Sequence, residues 1–168
     1  MTAQHTAQAD QFHAATDDAR RRLDVIAAHG RATVHQSTDP TGWVLAQAVG
    51  FVAALTTNTA RVCPHVGTSP RVVHAAVWAP GVVVCPACVH LLRPTRTEDA
   101  TCDRCRTAVA GIYSCTAAFG PILLAYGLCG PCQAAAGLTP PTPRVEGDAA
   151  TGPAPRTPRR PGRRTPRR

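Results

Sequence analysis

Cysteine spacing constrains this 168-residue chain more than any other feature of its sequence. Three Cys-x-x-Cys pairs and one Cys-x-His unit fall in its central part, at Cys63–His65, Cys85–Cys88, Cys102–Cys105 and Cys129–Cys132. They form two successive groups of four donors, with nineteen residues between the units of the first group and twenty-three between those of the second. Structural zinc requires a closed tetrahedron of thiolate and imidazole ligands, which two such turns can complete. The spacing therefore predicts two zinc ions.

Large apolar side chains are scarce in this chain, since only 4% of its residues are aromatic. Small domains that cannot bury enough apolar surface are commonly stabilised by disulfides or metals. Residues Met1–Ala9 show no basic segment followed by an apolar stretch, so we expect no secretory signal and a cytoplasmic location. Thiols stay reduced in the cytoplasm, which favours metal ligation over disulfides.

Both groups of donors enclose the same predicted order of elements: a ligand turn, a β-hairpin, a ligand pair and a short helix. In the first group we predict strands at Arg71–Trp78 and Val82–Val84, joined by a turn at Ala79–Gly81. In the second group we predict strands at Ala108–Thr116 and Ile122–Leu128. The order of elements therefore repeats, which indicates two related modules.

This order resembles the treble-clef class of zinc finger, and two copies in series resemble the tandem arrangement of LIM-type modules. The resemblance implies one zinc held by Cys63, His65, Cys85 and Cys88, and a second held by Cys102, Cys105, Cys129 and Cys132. The Cys-x-His unit and the thirteen residues between the modules depart from the LIM pattern. An interleaved cross-brace of the RING type, which would combine the ligand turns of both groups, is the alternative pairing.

The remaining cysteine and two histidines have simpler interpretations. Cys115 lies within a predicted strand without a partner at ligand spacing, and we interpret it as a small apolar side chain. His74 and His90 are expected to be ordinary surface or core residues, with His90 as the substitute ligand if His65 is not one. Cys129–Cys132 reads Cys-Gly-Pro-Cys, as in thioredoxins, but only thirty-six residues follow it and the thioredoxin fold needs several further elements.

A first helix is predicted over residues 10–29, ahead of the Cys-rich region, and Gly30 is placed to end it. Apolar residues recur along it at steps of three and four, which gives one stripe. The stripe consists of Phe12, Ala15, Ala19, Leu23 and Ile26.

A second helix is predicted to begin at the capping sequence Ser37–Pro40 and to continue through the apolar segment Trp43–Leu55. No charge occurs between Pro40 and Ala60, but the strongly apolar run has only thirteen residues. A membrane span needs about twenty. We therefore expect this helix to pack against the first as an antiparallel hairpin.

The composition of the chain changes after Leu138. Residues 139–168 contain half of the sixteen prolines and eight of the eighteen basic residues, without any apolar period. Such a segment cannot bury enough surface to offset its ordering entropy. The predicted fold is a small α+β one. Its predicted segments are a disordered start at 1–9, a helical hairpin at 10–60, zinc modules at 61–94 and 95–138, and a disordered basic tail at 139–168.

No Ser/His/Asp set, glycine-rich phosphate loop or spaced carboxylate pair is visible, and four donors per zinc leave no open position for catalysis. We therefore predict a non-enzymatic adaptor or regulatory protein whose zinc sites build a surface for a protein partner. The alternative is a nucleic-acid-binding protein that contacts phosphates through its tail. The tail arginines are Arg156, Arg159, Arg160, Arg163, Arg164, Arg167 and Arg168. We expect no membrane partner.

Overall fold

A computed structural model describes residues 3–30, 32, 34 and 41–138 of the chain. The elements in order are α1 (Ala3–Gly30), α2 (Trp43–Thr56), β1 (Arg61–Val62), β2 (Val73–Ala76), β3 (Ala79–Val84), a 3-10 helix (Pro86–Leu92), α3 (Arg96–Asp99), β4 (Tyr113–Phe119), β5 (Ile122–Leu128) and α4 (Gly130–Ala135). This mixture of helices and sheet is compatible with the predicted α+β class. The predicted helix start at Ser37–Pro40 and the predicted tail lie outside the described residues.

Helix α1 begins at Ala3 rather than at residue 10, so positions 3–9 are helical where disorder was predicted. Alanine and glutamine, which are good helix formers, make up most of this first part of the helix. Gly30 is the last helical residue, in agreement with its predicted role as a stop.

The two predicted hairpins share one five-stranded sheet with the strand order β1-β3-β2-β5-β4. Strands β2 and β3 pair antiparallel, as do β4 and β5. The hairpins are joined by a parallel pairing of β2 with β5, in which Val73 lies opposite Ile122 and Ala76 opposite Ala125. The two Cys-rich segments are therefore parts of one hydrogen-bonded sheet.

The first hairpin turns at Val77 and Trp78, which is earlier than the predicted turn at Ala79–Gly81. Gly81 has a φ of 72° and lies within β3, where the pairing with β2 shifts register between Ala75 and Ala76. Glycine is typical of turns, and Gly81 lies within the predicted one. In the structure it lies at a bulge instead, where glycine also accommodates a positive φ. In the second hairpin the turn falls at Gly120 and Pro121, between the two predicted strands.

Helix α2 packs on one face of the sheet. Val44, Ala48 and Phe51 are buried against a cluster that includes Leu124 and Tyr126 of β5. Trp43 meets Tyr126 edge to face, with 5.9 Å between the ring centroids. Apolar burial thus fixes the inner face of α2 onto the middle of the sheet.

Helix α1 packs on the opposite face. Ala19, which is fully buried, contacts Leu123 of β5 and Val72 in the same small cluster. Leu123 and Leu124 are neighbours in a strand, and successive side chains of a strand point to opposite faces. The two helices therefore cover different faces of the sheet, and the expected packing of one helix on the other as a hairpin is not what the structure shows.

Candidate metal centres

The structure brings the eight predicted donors together in the same two groups of four. Within each group the donor atoms all lie within 4.8 Å of one another, and either group could hold a metal ion. The first centre consists of Cys63, His65, Cys85 and Cys88, and the second of Cys102, Cys105, Cys129 and Cys132. All eight cysteines of the chain are free thiols, so no disulfide competes with metal binding.

Strand direction keeps the two centres apart. Cys85 follows the end of β3, and Cys129 follows the end of β5. Strand β2 is antiparallel to β3 and parallel to β5, so β3 and β5 run in opposite directions. Their last residues therefore lie at opposite ends of the strands that form the sheet. A strand of six or seven residues spans about 20 Å. This separation is incompatible with a cross-brace, and each centre draws its donors from one continuous part of the chain.

In the first centre, the ligand turn is held against β3. The Cys63 backbone N–H donates to the Val83 carbonyl at 3.1 Å, and the Cys85 N–H donates to the Cys63 sulfur at 3.2 Å. Cys88 lies in the 3-10 helix that follows, and its N–H donates to the Cys85 carbonyl. The indole N–H of Trp78 donates to the Leu92 carbonyl at 2.7 Å and so fixes the end of that helix.

His65 completes the first centre from the solvent side. Its side chain is exposed, whereas the three cysteines are buried, and its Nδ1 lies 3.1 Å from the Cys88 sulfur. Arg71 donates to the His65 carbonyl at 3.0 Å, which holds the backbone of the ligand turn. Nδ1 is thus the ring nitrogen that points at the other donors.

In the second centre, the ligand turn is closed by backbone bonds on both sides of it. The Cys102 N–H donates to the Thr107 carbonyl at 3.0 Å, and the Arg106 N–H donates to the Cys102 carbonyl at 2.8 Å. Arg106, directly after Cys105, adopts a φ of 60°, a left-handed conformation that is uncommon for residues other than glycine. Cys129 caps α4, and Pro131 stands in its first turn, where its missing N–H costs no hydrogen bond.

Asp103, a residue that the sequence analysis did not single out, anchors the second ligand turn. Its N–H donates to the Gly127 carbonyl at 2.9 Å, and its Oδ2 accepts from the Gly127 N–H at 2.6 Å. The carboxylate is buried, which raises its pKa, and it also lies 3.6 Å from a guanidinium nitrogen of Arg106. The only sequence signal for this role is a carboxylate between the two cysteines of the ligand turn. Such a position suggests a metal ligand more readily than a hydrogen-bond acceptor that holds the turn in place.

Gly127 permits a close approach between β5 and Ile112. A Cβ at this position would lie 2.6 Å from Cγ2 of Ile112, a distance that ordinary packing does not allow. Glycine is therefore required by the contact between β5 and the segment that precedes β4.

The thiols of each centre differ widely in acidity. Burial raises the pKa of Cys63, but hydrogen bonds from the backbone of Cys85 and His65 outweigh it and bring the pKa to about 6. Hydrogen bonds from Thr107 lower the pKa of Cys105 to about 6. Burial and the neighbouring thiols raise the pKa of Cys88 to about 11 and that of Cys132 to about 12. Thiolates accumulate in one place only if a cation neutralises their repulsion.

The spacing of the donor atoms fits a small tetrahedral cation. Zinc–sulfur bonds of about 2.3 Å in a tetrahedron place two sulfurs about 3.8 Å apart. The Cys105 and Cys129 sulfurs are 3.8 Å apart. The corresponding nitrogen–sulfur separation is about 3.6 Å, so the 3.1 Å between His65 and Cys88 must open slightly around an ion.

The other candidate residues lie outside both centres. Cys115 is partly buried against the main core, and burial raises its pKa to about 11, as expected for an apolar filler. His90 is exposed, and it does not belong to either group of donors. His74 lies on the sheet face that α1 covers. The tail arginines predicted to contact nucleic acid lie outside the described residues.

Comparison with known proteins returned no match to any family model, any curated protein or any solved structure. Among the described residues, neither α2 nor any other helix is both long enough and apolar enough to cross a bilayer.

Proposed function

We propose that this chain is a non-enzymatic zinc-binding adaptor, in which two structural zinc ions stabilise the sheet and α2 binds a protein partner. The observation that carries the proposal is the pair of four-donor groups, each gathered within 4.8 Å. Zinc is favoured over other ions because one group offers three sulfurs and an imidazole and the other four sulfurs.

The order of elements in each module supports the proposal of a treble-clef organisation. Two donors come from a ligand turn, and two come from the start of the helix that follows a hairpin. The departure from a serial arrangement is the parallel pairing of β2 with β5, through which both modules contribute to one sheet. The zinc ions would then stabilise the two ends of a single sheet.

A structural role agrees with the number of donors in each group. Catalytic zinc keeps one coordination position for water or substrate, whereas structural zinc is closed by four protein ligands. Five of the eight donors are buried cysteines, which belong to the apolar clusters of the fold. The metal ions would therefore form part of the core.

The outer face of α2 supports the choice of a protein partner. Leu45 and Val49 are each 57% exposed and Val52 is 46% exposed, whereas the inner face of the same helix is buried on the sheet. These residues follow one another at steps of four and three and form one continuous apolar stripe. Exposed apolar patches commonly mark interaction sites. Since the helix carries no charge, an apolar surface on the partner is the chemistry that fits it.

The adaptor proposal is tested with charged substitutions at matched exposure. Leu45→Asp places a charge on the stripe. Leu91→Asp is the control, because it places the same charge outside the stripe, at a residue of the 3-10 helix that is 59% exposed. We expect a partner captured by the wild-type chain to be retained by Leu91→Asp and lost with Leu45→Asp, with both variants keeping their metal. A partner that binds Leu45→Asp as well as wild type would exclude α2 as the docking surface.

The nucleic-acid alternative depends on the predicted tail. Electrophoretic titration of a duplex with the full chain and with a chain lacking residues 139–168 separates the two functions. Each phosphate contact contributes about 0.9 to the salt slope of binding. An affinity and a salt slope that do not change on deletion would rule out the tail as a phosphate-binding segment.

A further inference from the structure

A groove of about 480 Å³ lies on the face of the sheet that carries α1. Small-molecule sites commonly measure about 300–1,000 Å³ and combine apolar walls with a few polar groups. One wall is α1, the floor includes a residue of β2, and the other wall is the 3-10 helix. The lining residues are Asp18, Arg21, Arg22, Val25, Ile26, His74, Pro86 and Val89.

The walls of the groove are apolar toward one end of α1. Val25 is 56% exposed, Ile26 is 42% exposed, and Val89 on the opposite wall is 46% exposed. Pro86 adds a further apolar surface beside Val89. These side chains would lose water contact if an apolar group lay between the two helices, which is a favourable change.

The floor of the groove contains a polar atom without a hydrogen bond. His74 Nε2 is buried and has no partner. Burial and the positive charge of Arg22 lower the pKa of this histidine, so the ring is neutral near pH 7. Nε2 has no surface open to the groove, so the neutral ring of His74 forms an uncharged part of the floor and offers no hydrogen bond to a ligand.

Two guanidinium groups and one carboxylate stand on the α1 wall. Asp18 accepts from Nε of Arg22 at 2.8 Å and lies 3.4 Å from Nη2 of Arg21. One carboxylate cannot neutralise two arginines, and a guanidinium has five N–H donors, of which Asp18 takes one from each. The groove therefore keeps a net positive charge above the neutral ring of His74.

We propose that this groove binds a small organic anion, namely a carboxylate attached to a short aliphatic body. The carboxylate accepts hydrogen bonds from the guanidinium groups of Arg21 and Arg22. The aliphatic body lies between Val25 and Ile26 on one side and Val89 on the other. No metal ligand lines this site, although Pro86 and Val89 are neighbours of Cys85 and Cys88 in the chain, and the site does not depend on the adaptor function of α2.

Octanoate is a suitable probe, and calorimetric titration of the full chain measures its binding. Octan-1-ol has the same body without the charge, and acetate has the charge without the body. We expect saturable binding of octanoate and much weaker binding of the other two. Charge-assisted hydrogen bonds from arginine are among the stronger polar contacts, so we expect Arg22→Gln to weaken octanoate binding by about tenfold or more.

Arg20→Gln is the matched control, because Arg20 is an α1 arginine that pairs with Asp17 and does not line the groove. It should bind octanoate as the wild type does. Val89→Asp, at an exposed position, is the second variant, since it places a negative charge on the opposite wall without disturbing the core. Circular dichroism of each variant shows that folding is retained. The proposal is overturned by octan-1-ol binding as tightly as octanoate, by unchanged binding in Arg22→Gln and Val89→Asp, or by no saturable binding of octanoate to the wild type.

Discussion

The two metal centres differ in the contacts that attach the ligand turn to the neighbouring strand. In both, a ligand turn is attached to the residue two positions before the third donor of its centre, which is Val83 before Cys85 in the first and Gly127 before Cys129 in the second. The first centre makes this attachment with strand pairing, since Cys63 continues the parallel pairing of β1 with β3. The second makes it with Asp103, whose backbone and carboxylate both bond to Gly127.

This difference shows that the metal ligands alone do not define such a centre. Each ligand turn needs a second attachment to the strand that leads into the other ligand pair. A strand supplies it through two residues of backbone, and a buried carboxylate supplies it through one side chain. The first attachment depends on no particular side chain, whereas the second depends on the carboxylate of Asp103.

Removal of one ligand should have the largest effect on either centre. Apparent zinc affinities in finger peptides correspond to about 10–16 kcal/mol, at or above the net stability of a domain. We expect Cys88→Ser and Cys132→Ser each to lose one equivalent of zinc and to unfold at a much lower temperature. Because β2 pairs with β5, we expect one cooperative transition in each variant, measured by calorimetry. A separate transition at the wild-type temperature would show that the centres are independent.

Acidification should release metal from both centres. A thiol binds zinc only as the thiolate, so protons and metal compete for the same sulfur. The pKa is about 11 for Cys88 and about 12 for Cys132. Both thiols are therefore protonated in the metal-free chain at neutral pH and must release their protons when zinc binds. Cys63 and Cys105 become protonated below about pH 6. We therefore expect zinc affinity to rise with pH and metal to be lost as the pH falls below about 6.

A chromophoric chelator measures this release as a function of pH, and the protons released on zinc binding are counted in weak buffer at pH 7. An affinity that does not depend on pH would mean that the metal is not held by thiols.

Gly127→Ala should lower the stability of the chain through the packing beside the second centre. The added methyl group would lie 2.6 Å from Cγ2 of Ile112, and overpacking of this kind costs about 1–3 kcal/mol. The additional substitution Ile112→Ala should recover part of this loss. Gly130→Ala is the control, because its nearest contact would be an ordinary 3.9 Å to Tyr113. Urea unfolding measures all three, and equal stabilities of Gly127→Ala and Gly130→Ala would contradict the packing argument.

Asp103 variants sharpen the comparison with the smallest expected change. Asp103→Ala removes the acceptor for the Gly127 N–H, and a buried donor left unpaired costs about 1–3 kcal/mol. Asp103→Asn keeps an acceptor oxygen and removes the buried charge, so its loss should be smaller. Zinc should dissociate faster from the second centre of Asp103→Ala, with no change at the first. A similar acceleration at both centres would show that Asp103 acts on overall stability and not on its own ligand turn.

The donor groups could be predicted because ligand spacing is local and metal geometry is restrictive. The parallel pairing of β2 with β5 could not, since β2 has four residues and nothing in Val73–Ala76 specifies a distant partner. The face that α2 buries could not be predicted from the sequence either, because the helix is apolar on both sides and its pattern does not distinguish Ala48 from Val49. Gly81 and Asp103 were ambiguous, as glycine serves turns and bulges alike and carboxylates serve as ligands and as hydrogen-bond acceptors.

The most direct test of the account is the metal content of the chain purified without added metal. Native mass spectrometry under non-reducing conditions, supported by elemental analysis, measures both metal and thiol oxidation. The account predicts two zinc ions per chain with all eight cysteines reduced, and complete loss of both ions in acid. A metal-free chain with disulfides within Cys85–Cys88 or Cys129–Cys132 would contradict it.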